Sequence, residues 1–181
     1  DTGYRIERLE ADDYSVSDAS GSVAIKGVEM TGLLLPSEED RDAYGGFLFY
    51  ETIGIDTVNV ETEGTEIFSL ANFEAEVTAS QEGDPMEFTG GAEAFTLNLS
   101  FLEPQQRAIM QALGYEELQG HLDMAGSWQP ADGRMELSQY DLTVDGAGTF
   151  GLSFDLAGYT PDFIASLREL QQQALANPDG D

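Results

Sequence analysis

The sequence predicts an α+β fold that is mostly β, with an antiparallel, twisted or curved meander sheet and two or three short helices. Segments in which apolar and polar residues alternate recur along the chain, and alternation is the period of a half-buried strand. Clusters of Gly, Asp and Ser separate these segments at hairpin spacing. Helical spacing of apolar residues is confined to short stretches that follow a proline.

The first half of the chain predicts strands joined by turns. The alternating apolar pairs are Tyr4 and Ile6, Tyr14 and Val16, Val23 and Ile25, Ile53 and Ile55, and Val58 and Val60. Turn sequences lie at residues 17–22 and 61–66, and a loop is predicted at residues 81–85. Ser37 predicts the cap of a short helix with an acidic first turn. The Gly90–Gly91 pair predicts a bend or bulge in a later strand.

The second half predicts a helix, three strands and a closing helix. Pro104 suits the first turn of a helix that ends at Gly114. Residues 118–128 alternate regularly, while in the next strand the apolar phase slips, which predicts a bulge near Ser138. The final strand carries Phe150, Leu152, Phe154 and Leu156 in one phase. Thr160 and Pro161 then predict the start of the closing helix.

The length favours one elongated β-rich domain over residues 1–176, followed by a frayed tail at 177–181. Residues 32–47 and 99–115 share an order of strand, proline, helix and glycine. This order suggests a duplicated strand-helix-hairpin unit.

The charge balance is extreme, with 35 Asp and Glu against 7 Lys and Arg and a formal net charge of -28. A phosphate backbone would be repelled, so we expect no nucleic-acid partner, and anionic bilayers are disfavoured for the same reason. The carboxylates are scattered, which is typical of a solvated acidic surface. A multivalent cation, a basic protein or a cationic substrate are the alternatives.

The chain contains no cysteine, which removes disulfides and thiolate chemistry and leaves the redox compartment open. No apolar run reaches the roughly 18 residues of a membrane span, so an integral membrane protein is not expected. The chain opens on Asp1, which we interpret as a removed leader or another boundary.

The residues around each possible catalytic or cofactor-binding motif argue against that function. Gly146, Gly148 and Gly151 match GxGxxG, but the residues that follow alternate like a strand, which predicts a hairpin turn. His121 is the only histidine and lies on the polar phase of its strand, and no GxSxG elbow is present. The sequence therefore predicts no catalytic residues, no cofactor and no enzyme activity.

Metal binding is left open. Carboxylates suit hard cations such as calcium, but no twelve-residue calcium loop is present. We interpret the nearest acidic clusters as solvated loop or helix-start acids. These clusters are Asp12, Asp13 and Asp18, and Glu38, Glu39 and Asp40.

Two hairpin stretches carry a resemblance to a known group. Residues 55–77, with a strand, an EGT turn and a strand, and residues 118–158 resemble the repeating hairpins of AsmA-like bacterial periplasmic proteins. The resemblance covers about half of the chain. It implies an exported, periplasmic envelope location and a long curved sheet whose apolar face supports or passes lipid.

Three functional hypotheses follow. The first is a non-catalytic envelope protein that binds or passes a lipid or other apolar ligand. The second is a structural or protein-partner-binding module with a filled core, and the third is a carboxylate-based hydrolase. For the first we expect a gap between the sheet and the closing helix, although the same residues also suit a plain core. They are Leu122, Met124, Trp128, Phe150, Phe154, Phe163 and Leu167.

Overall fold

The computed structural model of the protein describes residues 3–35, 49–78 and 85–176. Among these residues, nine strands are present: β1 Tyr4–Ser17, β2 Gly21–Leu35, β3 Thr52–Thr62, β4 Thr65–Thr78, β5 Met86–Asn98, β6 Glu117–Gln129, β7 Arg134–Val144, β8 Gly148–Gly151 and β9 Phe154–Leu156. Two helices are α1, Pro104–Ala112, and α2, Pro161–Ala176, and a 3-10 turn spans Leu99–Phe101. The predicted fold class, α+β and mostly β, is confirmed.

The nine strands form one open antiparallel sheet. Each strand from β1 to β8 pairs with the next along the chain, and β9 pairs with β7 beside β8. Local turn chemistry produces this meander. Glu63 and Gly64 join β3 to β4 with φ of 53° and 74°, the left-handed pair that tight hairpins prefer. Gly146, with φ of 74°, lies in the turn that joins β7 to β8, which confirms that the GxGxxG match is a hairpin.

One face of the sheet is apolar throughout, and the register shows how. Paired residues of antiparallel strands share a face. Gly120 and Leu122 of the regular strand β6 pair with Phe95 and Ala92 of β5, which are three positions apart. The same spacing of three recurs in line on the other strands: Leu70 and Phe73 on β4, Val58 and Ile55 on β3, Ile25 and Val28 on β2, and Tyr14 and Ala11 on β1.

The positions between these apolar pairs form a line across five strands, which we call the phase-shift row. It comprises Asp12, Gly27, Asp56, Asn72 and Glu93. Gly27 and Asn72 have φ of 63° and 49°, so alternate strands turn through a left-handed residue there. Glycine and asparagine are the residues that tolerate this conformation best. The row lets each strand change its alternation by one residue while its apolar side chains stay on one face.

Two irregularities were predicted in the second half of the sheet, and one is confirmed. The register between β6 and β7 shifts between Ala125 and Gly126, leaving Ser138 as the extra residue of β7. The bend or bulge predicted from Gly90–Gly91 is displaced, because these two residues pair regularly and the register of β5 shifts between Ala92 and Phe95. The two glycines serve close approach, since a Cβ on Gly91 would lie 2.3 Å from the carbonyl oxygen of Leu122.

The final predicted strand is divided in two. Phe150 pairs with Leu142 and Phe154 pairs with Leu137, so the bulge in β7 falls between β8 and β9. Leu152 donates its backbone N–H to Tyr140 O at 2.9 Å, but its side chain is exposed. The predicted phase is kept, since Phe150, Phe154 and Leu156 pair with Leu142, Leu137 and Met135 of the apolar face. Only the continuity of the strand was wrongly predicted, because its partner strand has an extra residue at that point.

Both described helices begin as predicted. α1 has Pro104 in its first turn and ends before Gly114, whose φ is 92°. Thr160 Oγ1 accepts the backbone N–H of Phe163 at 3.3 Å and caps α2. Neither helix is long and apolar enough to cross a bilayer within the described ranges. The described residues do not include the helix predicted after Ser37, most of the loop at 81–85 or the tail at 177–181. They also omit residues 36–47, which make up most of one copy of the suggested duplication.

Cover over the apolar face is sparse. The buried apolar residues of the described ranges are Leu33, Ala92, Phe95, Leu99, Trp128 and Ile164. Many large apolar residues of the described ranges are exposed, among them Tyr4, Tyr14, Phe150 and Leu170. Side chains on both edges of the sheet and on both helices therefore remain exposed.

We expect Asn72→Val to destabilise the protein by about 1–2 kcal/mol, because a β-branched side chain fits the left-handed region poorly. Asn72→Gly is the control and should stay within about 1 kcal/mol of the natural chain. Urea denaturation followed by far-UV circular dichroism measures both. Equal effects of the two substitutions would show that the left-handed turn does not constrain β4.

The turn between β1 and β2 gives a pH-dependent prediction. The hydroxyl and backbone N–H of Ser20 and the backbone N–H of Gly21 donate to Asp18 Oδ1, which lowers the pKa of Asp18 below its ordinary 3.8. Because the folded pKa is lower than the unfolded one, the carboxylate stabilises the fold above pH 3.8, and the effect is lost as pH falls through the folded pKa. Carboxyl NMR titration should show the pKa of Asp18 rising in Ser20→Ala; an unchanged titration would contradict the assignment.

Candidate functional site

An apolar pocket of about 310 Å³ opens on the apolar face where β4, β5, β6 and β7 lie side by side. Its walls come from these four strands, and its rim comes from the segment before β3 and the segment before α2. The wall residues are Phe73, Ala75, Val77, Met86, Phe88, Thr89, Met124, Trp128 and Met135, and the rim residues are Phe49, Tyr50 and Tyr159. None of the described residues that line the pocket is charged.

Small residues in neighbouring strands form the floor of the pocket. Ala75 pairs with Gly90, and Gly90 pairs with Met124. Gly126 lies opposite Phe88, and a Cβ there would be 2.4 Å from the Phe88 ring. The Phe88 ring therefore lies across the backbone of Gly126, and Gly90 lets β4 approach closely, since a Cβ there would lie 2.9 Å from Ala75 Cβ.

Backbone hydrogen bonds hold the rim on the Tyr50 side. Leu34 donates its N–H to Phe49 O at 2.7 Å, and Val77 donates to Glu51 O at 2.8 Å. The segment that carries Tyr50 is therefore held between β2 and β4 at the start of β3. This explains how residues distant in sequence reach the same pocket.

Trp128 joins the pocket to the opposite side of the rim. Its side chain is 7% exposed, and its indole Nε1–H donates to Tyr159 O at 2.8 Å. Tyr159 in turn donates its backbone N–H to Gly133 O at 2.8 Å, and its ring meets Phe163 edge-on with 6.0 Å between centroids. The prediction that Trp128 belongs to the apolar phase is confirmed.

The seven residues predicted to line a gap are only partly brought together. Met124 and Trp128 line the pocket. Leu122 lies on the same face of β6, two residues before Met124. Phe150 on β8 is 62% exposed, Phe163 on α2 is 46% exposed, and Phe154 and Leu167 are also exposed. The predicted gap beneath the closing helix is thus not formed by this set, because α2 starts beyond the end of the sheet, at the turn after β6.

Sequence reasoning missed the aromatic residues of the rim. Phe49, Tyr50 and Tyr159 lie outside the strands or at strand ends, where alternation gives no signal. Phe73 and Phe88 were predicted to lie in the sheet. Their meeting with Met124 depends on the register of three strands, which no local pattern reports.

A second depression, of about 940 Å³, is lined mainly by the polar face of β1 to β6. Acidic residues dominate it: Glu10, Asp12, Glu29, Asp56, Glu74, Glu76, Glu93 and Asp123. Gly54 and Gly91 interrupt one row of these acids and leave the surface concave. His121 Nε2 is 3.8 Å from Asp123 Oδ2, and both side chains are exposed, as expected for the polar phase.

The acidic depression has no site chemistry among the described residues. No set of three or more His, Asp or Glu side chains in these ranges converges as metal ligands would. Asp18 is engaged by Ser20 and Gly21 in its own turn, and Glu38, Glu39 and Asp40 lie outside the described ranges. No charged side chain of the described ranges is buried, and burial is what raises the pKa of a catalytic carboxylic acid.

Compared with protein-family models, curated proteins and solved structures, the chain has no match. Its function therefore has to be inferred from the apolar pocket, the acidic depression and the exposed edges of the sheet.

We expect Trp128→Ala to cost about 3–5 kcal/mol, because it leaves a cavity at the end of the sheet and removes the donor to Tyr159 O. Phe150→Ala, at a 62% exposed position on the same apolar face, should cost less than about 1 kcal/mol. Chemical denaturation followed by circular dichroism tests both. Similar losses from the two variants would mean that Trp128 does not anchor the segment before α2.

Proposed function

We propose that the chain is a non-catalytic, exported protein that binds the hydrocarbon part of a lipid or similar amphiphile in the apolar pocket. The pocket itself carries this proposal, because it is open and apolar and none of its described lining residues is charged. The resemblance to AsmA-like periplasmic proteins supports an envelope location and the same class of ligand.

The lining favours flexible apolar chains over one rigid ligand. Three of the five methionines in the chain, Met86, Met124 and Met135, line the pocket. Methionine side chains adapt their shape to different partners at low cost. At about 310 Å³ the pocket lies at the small end of ligand sites, which suits a single chain better than a two-chain lipid.

Charge favours particular head groups. The net charge of -28 repels an anionic head, and the hydroxyls of Tyr50 and Tyr159 at the rim suit an uncharged polar one. We therefore expect neutral or zwitterionic amphiphiles to bind in preference to anionic amphiphiles of equal chain length.

The second candidate function, protein-partner binding, is favoured by a different feature, the long exposed edge formed by β1. A partner module with a filled core would leave no apolar pocket. The two functions therefore differ in whether a small amphiphile binds at all.

The only tryptophan of the chain lies in the pocket wall, so its fluorescence reports binding directly. Monomeric decyl maltoside, below its micelle concentration, should shift Trp128 emission with saturation at one molecule per chain by native mass spectrometry. Decyl sulfate should bind at least about tenfold more weakly at low salt.

Ala75→Leu fills the pocket floor and should weaken decyl maltoside binding at least about tenfold, whereas Ala71→Leu, on the same strand outside the pocket, should not. Circular dichroism confirms that both variants fold. Binding by folded Ala75→Leu that equals binding by the natural chain would refute the pocket as the site. A natural chain that binds no amphiphile would refute the function.

A further inference from the structure

The two edges of the sheet differ in length and protection. Among the described residues, β1 pairs on one side only, with β2, and presents 14 residues of strand on its other side. The opposite edge consists of β8 and β9, which have 4 and 3 residues and are separated by a break. Short, interrupted strands are a usual way to prevent edge pairing, so only β1 is a long template for a further strand.

The charges of β1 lie off its apolar face: they are Arg5, Glu7, Arg8, Glu10, Asp12 and Asp13. The strand contains no proline, and none of its positions on the apolar face carries a charge. Leu9 is 41% exposed and Tyr14 is 59% exposed on that face. A strand with an uncharged, exposed apolar face suits pairing with another strand that continues the same face.

The apolar pattern of β1 is the same in both directions about Glu10. Two phase shifts divide its apolar residues into three pairs, and the pairs lie symmetrically around that residue. They are Tyr4 and Ile6, Leu9 and Ala11, and Tyr14 and Val16, all paired with apolar residues of β2. Such a strand can pair antiparallel with itself and keep every apolar side chain on one face, with both phase shifts in register.

We propose that β1 pairs antiparallel with β1 of a second copy of this chain, with the two-fold axis at Glu10. Leu9 of one copy then lies opposite Ala11 of the other, Ile6 opposite Tyr14, and Tyr4 opposite Val16. The apolar faces of the two copies join into one continuous face. The pairing does not depend on the ligand proposed for the pocket.

Charge sets the conditions for this dimer. In the proposed register Arg8 lies opposite Asp12 of the second copy, an attractive pair. Glu10 faces Glu10, and Glu7 faces Asp13, which oppose pairing, although Arg8 already contacts Glu10 and Glu29 within one chain. With a net charge of -28 on each copy, pairing should strengthen as salt shortens the Debye length from about 10 Å at 0.1 M to about 3 Å at 1 M.

The pairing closes on itself. A two-fold interface uses the same strand of both copies, so it occupies the one long edge that the described strands leave exposed in each copy. The short β8 and β9 edges are left outside. The inferred product is a dimer, and a filament is not expected.

Sedimentation velocity at low and high salt tests the proposal. The natural chain should be a dimer at about 1 M salt and dissociate toward monomer near 0.1 M, where repulsion is less screened. Leu9→Lys places a charge on the apolar face of β1 and should weaken dimerisation at least about tenfold. Phe150→Lys makes the same kind of change on the opposite edge and should leave it unaltered.

The register is tested by cross-linking, because the chain has no cysteine of its own. Facing residues of an antiparallel pair have Cα atoms about 4.5–5.5 Å apart, within the range of a disulfide. Glu10→Cys should therefore form a disulfide dimer under mild oxidation. Glu29→Cys, one strand further in, would be about 14 Å from its counterpart and should not.

A natural chain that stays monomeric at about 1 M salt would overturn the proposal, including the case in which another segment of the same chain pairs with β1. Equal cross-linking of the Glu10→Cys and Glu29→Cys variants would overturn the register. Dimerisation unaffected by Leu9→Lys would show that the contact lies elsewhere.

Discussion

The arrangement of this sheet depends on keeping apolar side chains on one face while the alternation of its strands shifts. Five neighbouring strands change phase by one residue, and they do so in line because paired residues must share a face. Gly27 and Asn72 supply left-handed backbone in alternate strands of that row. A shift in one strand alone would turn its remaining apolar residues into water, so the strands are coupled through register rather than through a filled core.

Within the part of the chain that the structure describes, the one-sided sheet leaves more apolar surface than the two helices cover. α1 and α2 both carry exposed apolar residues, and few described side chains are fully buried. The pocket and the exposed edge are two results of this shortage of cover. The pocket forms where small residues in β4 and β5 leave a depression beside larger ones. The edge is exposed because β1 is the first strand of the described meander and pairs only with β2.

The opposite face has a different role. Its acids line a broad depression but stay solvated, and the described ranges contain no converging ligand set there. Acidic charge spread over this face is well solvated and repels other anions, including further copies of the chain. In the two proposals, the same charge is expected to act on both the head group of an amphiphile and the salt dependence of association.

Local pattern predicted much of the fold and little of the pocket. The alternation of β6, the bulge at Ser138 and the start of α2 at Thr160 were all predicted, because each depends on residues close in sequence. The divided final strand was not predicted, since its break is caused by the extra residue in β7. Met124 and Trp128 were correctly placed on the apolar face, but their pocket partners come from three other strands and two connecting segments.

The sequence by itself determined the fold class, the hairpin turns, the acidic polar face and the identity of most apolar positions, because turn chemistry and alternation act over a few residues. Only the tertiary structure decided which apolar residues meet, where the phase shifts align and which edge stays exposed. Cross-strand register sets these features, and register joins residues that are far apart in the chain.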